Sequence, residues 1–261
     1  MYQTYSKQSE TSATPERVKK LRTQLDGLLL DGFIVPHGDE FQNEYLPACN
    51  KRLLWLTGFA GSAGMAIILD NKAAIFIDGR YTLQVTNEVD MDLFEPLQVP
   101  QNKPADWILK NTGKKSRIGF DPRLMTLKTI ENLRELVGHQ NPDCVFVPLD
   151  ENPVDLIWDD RPAQPQTPVS LHPLKYAGQK ASAKITSLQK QLVSEKLDAC
   201  LLTDQASIAW LFNIRGKDVP HTPLALSYAI LHARKKPELI IDPAKLGKSK
   251  TNLPRICGCL P

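Results

Sequence analysis

Two periodicities alternate along the chain, and each marks a different kind of element. Across residues 14–29 apolar side chains fall at Val18, Leu21, Leu25, Leu28 and Leu29. That three-and-four spacing predicts one face of an amphipathic helix. Thr14-Pro15-Glu16 predicts its start, with Thr14 as N-cap, proline at the first helical position and an acid in the first turn. Asp31-Gly32 predicts its end. Phe33-Ile34-Val35 is short, apolar and β-branched, which predicts a buried strand. Residues 65–69 and 73–77 flank Asp70-Asn71-Lys72, and two apolar runs joined by a tight polar turn predict a hairpin. Helical patterns follow at 80–89 and 126–137, with strands at 117–120 and 144–147. Helices alternating with short apolar strands predict an α/β sheet domain over residues 14–148, preceded by a polar tail at 1–13.

The pattern then breaks. Residues 149–175 carry prolines at 153, 162, 165, 168 and 173, which block regular ladders and predict an extended linker. Within it Leu156, Ile157 and Trp158 are expected to dock on a neighbouring domain, because a large aromatic is costly to leave in water. Beyond the linker the first pattern recurs. Residues 184–196 are amphipathic through Ile185, Leu188, Leu192 and Val193. LDACLLTD (197–204) parallels LDGFIVPH (30–37), and AWLFNIRG (209–216) parallels LWLTGFAG (54–61). SYAILHA (227–233) and PELIIDPAKL (237–246) parallel the two strands of the first hairpin. The aspartates Asp31 and Asp78 lie 47 residues apart, and Asp198 and Asp242 lie 44 apart. Agreement across several elements predicts an internal duplication, with a second domain over 176–261 that is cut short relative to the first.

Composition narrows the class without identifying it. The chain has 261 residues, 42% hydrophobic and 23% charged, a normal balance for a folded globular protein. Its net charge of +3 and pI near 8.5 are too mild to point to nucleic acid or an anionic membrane. No apolar run approaches the roughly 20 residues that span a bilayer, and the polar N-terminus lacks a signal-peptide core. A cytoplasmic location is the expectation. Cys49, Cys144, Cys200, Cys257 and Cys259 are odd in number and scattered, which suits free buried thiols better than a disulfide framework. The Cys257-Gly258-Cys259 stretch lacks the spacing and the nearby histidine of a metal site.

The glycine cluster GFAGSAG (58–64) invites a phosphate-binding reading, but it has no P-loop lysine and is followed by a strand. A dinucleotide fingerprint needs a helix N-terminus facing the pyrophosphate. These glycines are therefore expected to allow close backbone approach at the entry to a hairpin. His37-Gly38-Asp39-Glu40 is expected to be a solvated turn, as are the carboxylates at 159–160. His221, in a loop between prolines, is a candidate for pointing into a neighbouring site. His139, His172 and His232 look incidental. Arg80 follows the strand that ends at Asp78-Gly79, where α/β sheets place functional groups. Its planar fork of donors suits a carboxylate or a peptide carbonyl, and the bland alternative is a pair with Asp78. Catalytic residues are expected to be absent, as are metal ligands.

Residues 44–84, EYLPACNKRLLWLTGFAGSAGMAIILDNKAAIFIDGRYTLQ, resemble the N-terminal domain of the three-domain aminopeptidase P enzymes of the creatinase/prolidase superfamily. AWLFNIRGKDVPHTPLALSYAIL (209–231) resembles their second domain, itself a copy of the first. The resemblance runs from about residue 14 to 246 and implies two tandem, duplicated creatinase/prolidase N-terminal-like domains with mixed β-sheets flanked by helices. It implies removal of the residue preceding a proline at the second position of a peptide. That reaction would use two divalent ions, usually manganese, held in a C-terminal pita-bread domain absent from this chain. It also implies a homodimer for the complete enzyme, Arg80 as a substrate-binding residue, and no hydrolysis by these 261 residues alone. His221 joins Arg80 as a candidate substrate-binding residue on its loop position and not on the resemblance. Where relatives often carry histidine ahead of the Glu-Tyr pair, this chain has Phe41, which argues against the 37–45 loop as a polar substrate contact. Two rival readings remain at this stage. One is a catalytically inactive peptidase-like module that binds proteins or peptides. The other is a prolidase or creatinase, which the duplicated N-terminal domain disfavours.

Overall fold

A computed structural model describes residues 11–249 and 255–257. By contact the chain divides into two compact units. The first comprises residues up to 44 together with 48–162, and the second comprises 45–47 together with 163 onward.

The first unit runs α1 (Thr14–Gly27), β1 (Gly32–Pro36), α2 (Arg52–Thr57), β2 (Gly64–Leu69), β3 (Ala73–Asp78), α3 (Thr82–Glu88), β4 (Glu95–Val99), α4 (Pro104–Asn111), β5 (Arg117–Phe120), α5 (Leu127–Gly138), β6 (Val145–Pro148) and α6 (Pro153–Ile157). Its six strands lie in the order β4-β3-β2-β1-β5-β6. The β1–β2 and β2–β3 pairs are antiparallel, and the other three pairs are parallel. Both faces of this mixed sheet are covered. Phe33, Val35, Ala66, Ile68, Ile75 and Ile77 bury with α1 and α2, and Ile34, Ile67, Ala74 and Phe76 bury with α4 and α5. Burial on both faces is why these strands read as unbroken apolar runs instead of alternating.

The second unit runs β7 (Ser170–Leu171), α7 (Leu174–Ala177), α8 (Ala181–Ser194), β8 (Ala199–Leu202), α9 (Gln205–Phe212), β9 (Ile214–Arg215), β10 (Tyr228–His232), β11 (Glu238–Ile240) and β12 (Arg255–Cys257). Its main sheet has the order β12-β11-β10-β8. The β8–β10 and β10–β11 pairs are antiparallel and the β11–β12 pair is parallel. That repeats the order and directions of β4-β3-β2-β1, so the duplication seen in the sequence is a duplication of topology. The core of this unit is built on one face, where Ala229, Leu231 and Leu239 meet residues of α8 and α9. The alternate residues of β10, Tyr228, Ile230 and His232, are half-buried, and Leu201 of β8 is 63% exposed.

Several local expectations are corrected. Thr14 is the first residue of α1 and Ala13 is its N-cap, with no side-chain cap bond. The helix ends at Gly27, so of the apolar positions expected on its face Val18, Leu21 and Leu25 are buried, together with Thr14. Leu28 and Leu29 stay exposed, and Leu29 has φ 56° in the turn that redirects the chain. Residues 79–81 form a 3-10 turn before α3, which shortens the helix expected at 80–89. Within 149–175, α6 belongs to the first unit: Asn152 caps it, and Ile157 and Trp158 are buried there. Leu156 remains 51% exposed. Trp158 stacks on Trp55 with ring centroids 5.1 Å apart, and Asp155 pairs with the buried Arg52 and with Arg161 at 2.7 Å each. Cys49 and Cys144 are free and buried, whereas Cys200 is half-buried. Cys259 and the side chain of Cys257 lie outside the described residues. Among the described residues, no helix is long and apolar enough to cross a membrane.

Candidate functional site

The Gly58–Gly64 loop is built around one aromatic ring. Gly58 ends α2 in the left-handed region at φ 87°, a conformation that glycine adopts without strain. Phe59 then turns inward and is 1% exposed, and a Cβ at Gly61 would collide with its ring. The glycines make room for a buried side chain at the mouth of β2, as the sequence predicts, and the loop has no helix N-terminus behind it to cradle a phosphate.

The hairpin delivers Asp78, Arg80 and Tyr81 beside that loop. Asp78 caps the 3-10 turn by accepting from the Arg80 backbone N–H at 3.0 Å, and its Oδ1 also accepts from Arg80 Nε at 2.7 Å. These bonds hold the Asp78 carboxyl below its ordinary range, the backbone donor contributing most. In return the carboxylate raises the pKa of the Arg80 guanidinium. Both side chains are open to solvent, Arg80 at 66% exposure, so the ion pair adds little stability. Thus the bland pairing with Asp78 exists, but it engages only Nε.

Tyr81 ties the hairpin to the glycine loop. Its ring meets Phe59 edge-on at 5.6 Å. Its hydroxyl accepts from Ser62 N–H at 3.3 Å and shares a 2.9 Å hydrogen bond with Ser62 Oγ. Ser62 Oγ also donates to Glu44 Oε1 at 2.9 Å. The loop is held from the other side by Glu88, whose Oε2 accepts from Ala60 N–H at 2.8 Å.

The 37–40 segment is not the solvated turn that its polarity suggests. Asp39 is fully buried, and its carboxylate accepts from Phe41 N–H, Asn43 N–H and the Asn43 and Asn50 side-chain amides. It organises the loop that carries Glu44. The His37 ring contacts the Glu44 carbonyl through Nε2 at 2.8 Å. The carboxylates at 159–160 do stay exposed, Asp159 lying 3.8 Å from Lys20.

In the second unit, His221 sits at φ 59° at the tip of a turn bridged between Val219 and Thr222. The turn is anchored by Asp218, which is buried and accepts from Leu226 N–H and from the buried Lys245 ammonium, each at 2.7 Å. Arg80 and His221 therefore belong to different units, each on a rigidly supported turn. The reasoning from sequence missed Glu44, Ser62, Asp218 and Lys245, because their partners are far along the chain. Lys184 was also missed, although its place matches that of Arg17 once the two repeats are aligned from their helix starts.

Among the described residues, no group of three or more His, Cys, Asp or Glu side chains could hold a metal ion. The donor set of the described residues does not fit a pair of divalent ions.

The duplicated fold agrees with the comparisons. The creatinase/prolidase N-terminal domain matches residues 17–160, and a second model of the same domain matches 160–255. This chain belongs to the creatinase/prolidase N-terminal domain family. A "Probable Xaa-Pro aminopeptidase P" of Coccidioides posadasii is 36% identical over 236 residues, covering 89% of this chain and 36% of that protein. One from Aspergillus clavatus is 36% identical over 251 residues, covering 95% of this chain and 38% of that protein. The crystal structure of X-prolyl aminopeptidase from Caenorhabditis elegans, described as a cytosolic enzyme with a di-nuclear active site, superposes with a TM-score of 0.85. It is 29% identical and covers 94% of this chain and 42% of that one. The chain thus spans well under half the length of these relatives.

Proposed function

We propose that these two units are the non-catalytic N-terminal portion of an Xaa-Pro aminopeptidase, which removes the residue preceding a proline from a peptide. The observation that carries this reading is the continuous match to aminopeptidase P relatives across both units, at 36% identity over 89% of the chain. A relative described as di-nuclear supports a metal-dependent hydrolysis. In such a reaction a pair of divalent ions, usually manganese, would supply an activated water and polarise the scissile carbonyl. The described residues do not fit such a pair, and this reading assigns hydrolysis to another part of the longer proteins that these relatives represent. The two units then wall the substrate cleft and support a homodimer in the cytoplasm. Fixing the scissile bond and excluding water are contributions to rate that need no metal of their own. Arg80 and His221 serve as peptide contacts presented by the two supported turns.

The test compares this 261-residue chain with the intact protein, each supplied with manganese and an Xaa-Pro peptide. The intact protein is expected to release the first amino acid and the chain alone to release none. Turnover by the chain alone overturns the assignment. Peptide binding by the intact protein without cleavage moves the conclusion to an inactive binding module.

A further inference from the structure

An exposed arginine on a surface turn ordinarily samples many rotamers. Arg80 instead is bracketed. Its Nε is held by Asp78 at 2.7 Å, and its guanidinium carbon lies 5.4 Å from the centroid of the Tyr81 ring. That ring is itself fixed at both ends, by its edge contact with the buried Phe59 and by its hydroxyl on Ser62. Ser62 is in turn anchored to Glu44. None of these polar bonds is buried in the core, so their stabilising value is small. What they do is order a cation whose terminal nitrogens have no hydrogen-bond partner among the described residues and point their donors to solvent.

Resting on the aminopeptidase reading above, we propose that Tyr81 and Ser62 are positioning residues that hold Arg80 so that its terminal nitrogens donate to a backbone carbonyl oxygen of the bound peptide. The choice of carbonyl over carboxylate follows from local charge. Asp78 and Glu44 are both close enough to act electrostatically on the single guanidinium, so the cluster carries more negative than positive charge. A third anion would be repelled, whereas a neutral carbonyl accepts from the free donors without that cost.

The kinetic test uses the intact enzyme with an Xaa-Pro tripeptide and its C-terminal amide. Arg80→Ala is expected to raise KM about tenfold with kcat held within about twofold, equally for acid and amide. Tyr81→Phe and Ser62→Ala each raise KM about fivefold, the loss of one ordering hydrogen bond, while Ser62→Thr restores it. In the Arg80→Ala background Tyr81→Phe adds nothing, since its effect runs through the arginine. A KM effect that persists there, or that favours the acid over the amide, overturns the proposal. A second measurement needs no activity: 15N relaxation of the Arg80 Nε–H in the 261-residue chain, ordered in the wild type and mobile in Tyr81→Phe. Equal mobility in both overturns the positioning role. An intact wild type that cleaves nothing instead overturns the enzyme reading and the carbonyl ligand with it, so the two failures are distinguishable.

Discussion

In both units a cation near the start of the first long helix reaches the tryptophan of the helix after the first main-sheet strand. In the first unit, Arg17 Nη1 donates to the Trp55 carbonyl at 2.6 Å and its guanidinium lies 4.7 Å from the Trp55 ring centroid. In the second, Lys184 Nζ donates to the Trp210 carbonyl at 2.8 Å and lies 4.4 Å from that ring. The device is the same: a side chain satisfies a carbonyl in the last turn, where the helix dipole is negative, and a π-face stacks on the charge. The surroundings differ. Trp55 is roofed by Trp158 from the segment after β6, whereas Trp210 is 50% exposed. Lys184 is buried, its ammonium donating to the Trp210 carbonyl and Asn213 Oδ1 with no carboxylate partner among the described residues, and burial first, then the charge of Arg215, lowers its pKa.

The sheets differ in the same direction. In the first unit β5 and β6 extend the sheet beyond β1, and α4 and α5 cover its second face. In the second unit β8 is the edge of the four described main-sheet strands, and alternate residues of β8 and β10 stay partly exposed. A duplicated sequence therefore does not guarantee duplicated burial. Each unit has its own core, and each secures it with its own charged pairs.

Asp218→Ala should break this comparison most strongly. It leaves Lys245, 4% exposed at its side chain, as an uncompensated buried charge. A loss of about 3–5 kcal/mol is expected, with hydrogen-exchange protection falling in β8, β10 and β11 and holding in β1, β2 and β3. Equal loss of protection in both sheets would mean that the cores are not independent.

A smaller effect belongs to the first unit. Asp121 is fully buried. Burial acts to raise its pKa, but the hydrogen bonds from Arg123 and Asn152 outweigh it and hold the carboxyl below its ordinary 3.8. A folded-state pKa below the unfolded one adds stability above the unfolded value, and that stability is lost as pH falls through the folded one. Asp121→Asn should cost about 1–3 kcal/mol near neutrality. The gap to wild type should close in denaturant titrations taken below pH 3.8. A gap independent of pH would show that shape, not charge, is what Asp121 supplies.

The smallest test exchanges solutions between the repeats. At the same place in the aligned motif, α2 ends on Gly58 at φ 87° and α9 ends on Asn213 at φ 51°, both left-handed. Gly58→Ala should lower stability by about 1 kcal/mol, and Gly58→Asn should cost less, because asparagine tolerates that region. Thermal unfolding of the two variants checks the order. The reverse order would mean that space around Gly58, not backbone conformation, demands the glycine.

Much of the fold was legible because it is local. Periodicity located α1, the hairpin and the main-sheet strands of both repeats except β4 and β12, and β-branched runs marked strands buried on both faces. The short helices α2, α4 and α6 were harder, since a few residues of apolar sequence do not distinguish helix from strand. Of the candidate site, Arg80 was visible from its place after a strand, and the glycine loop from its lack of a following helix. The roles of Asp39 and Asp218 were not visible, because a buried aspartate and a solvated one share the same local sequence.

By itself, the sequence determined the α/β class, the duplication and the hairpin that ends in Asp78-Gly79-Arg80-Tyr81, all properties of neighbouring residues and their spacing. Only the tertiary structure decided that Ser62 links Tyr81 to Glu44, that Lys245 neutralises Asp218, and that Trp158 roofs Trp55 while Trp210 stays half open. Those outcomes depend on contacts between residues 18 to 103 positions apart. Hydrogen bonding and burial are set by which segments meet in space, and no local pattern encodes that.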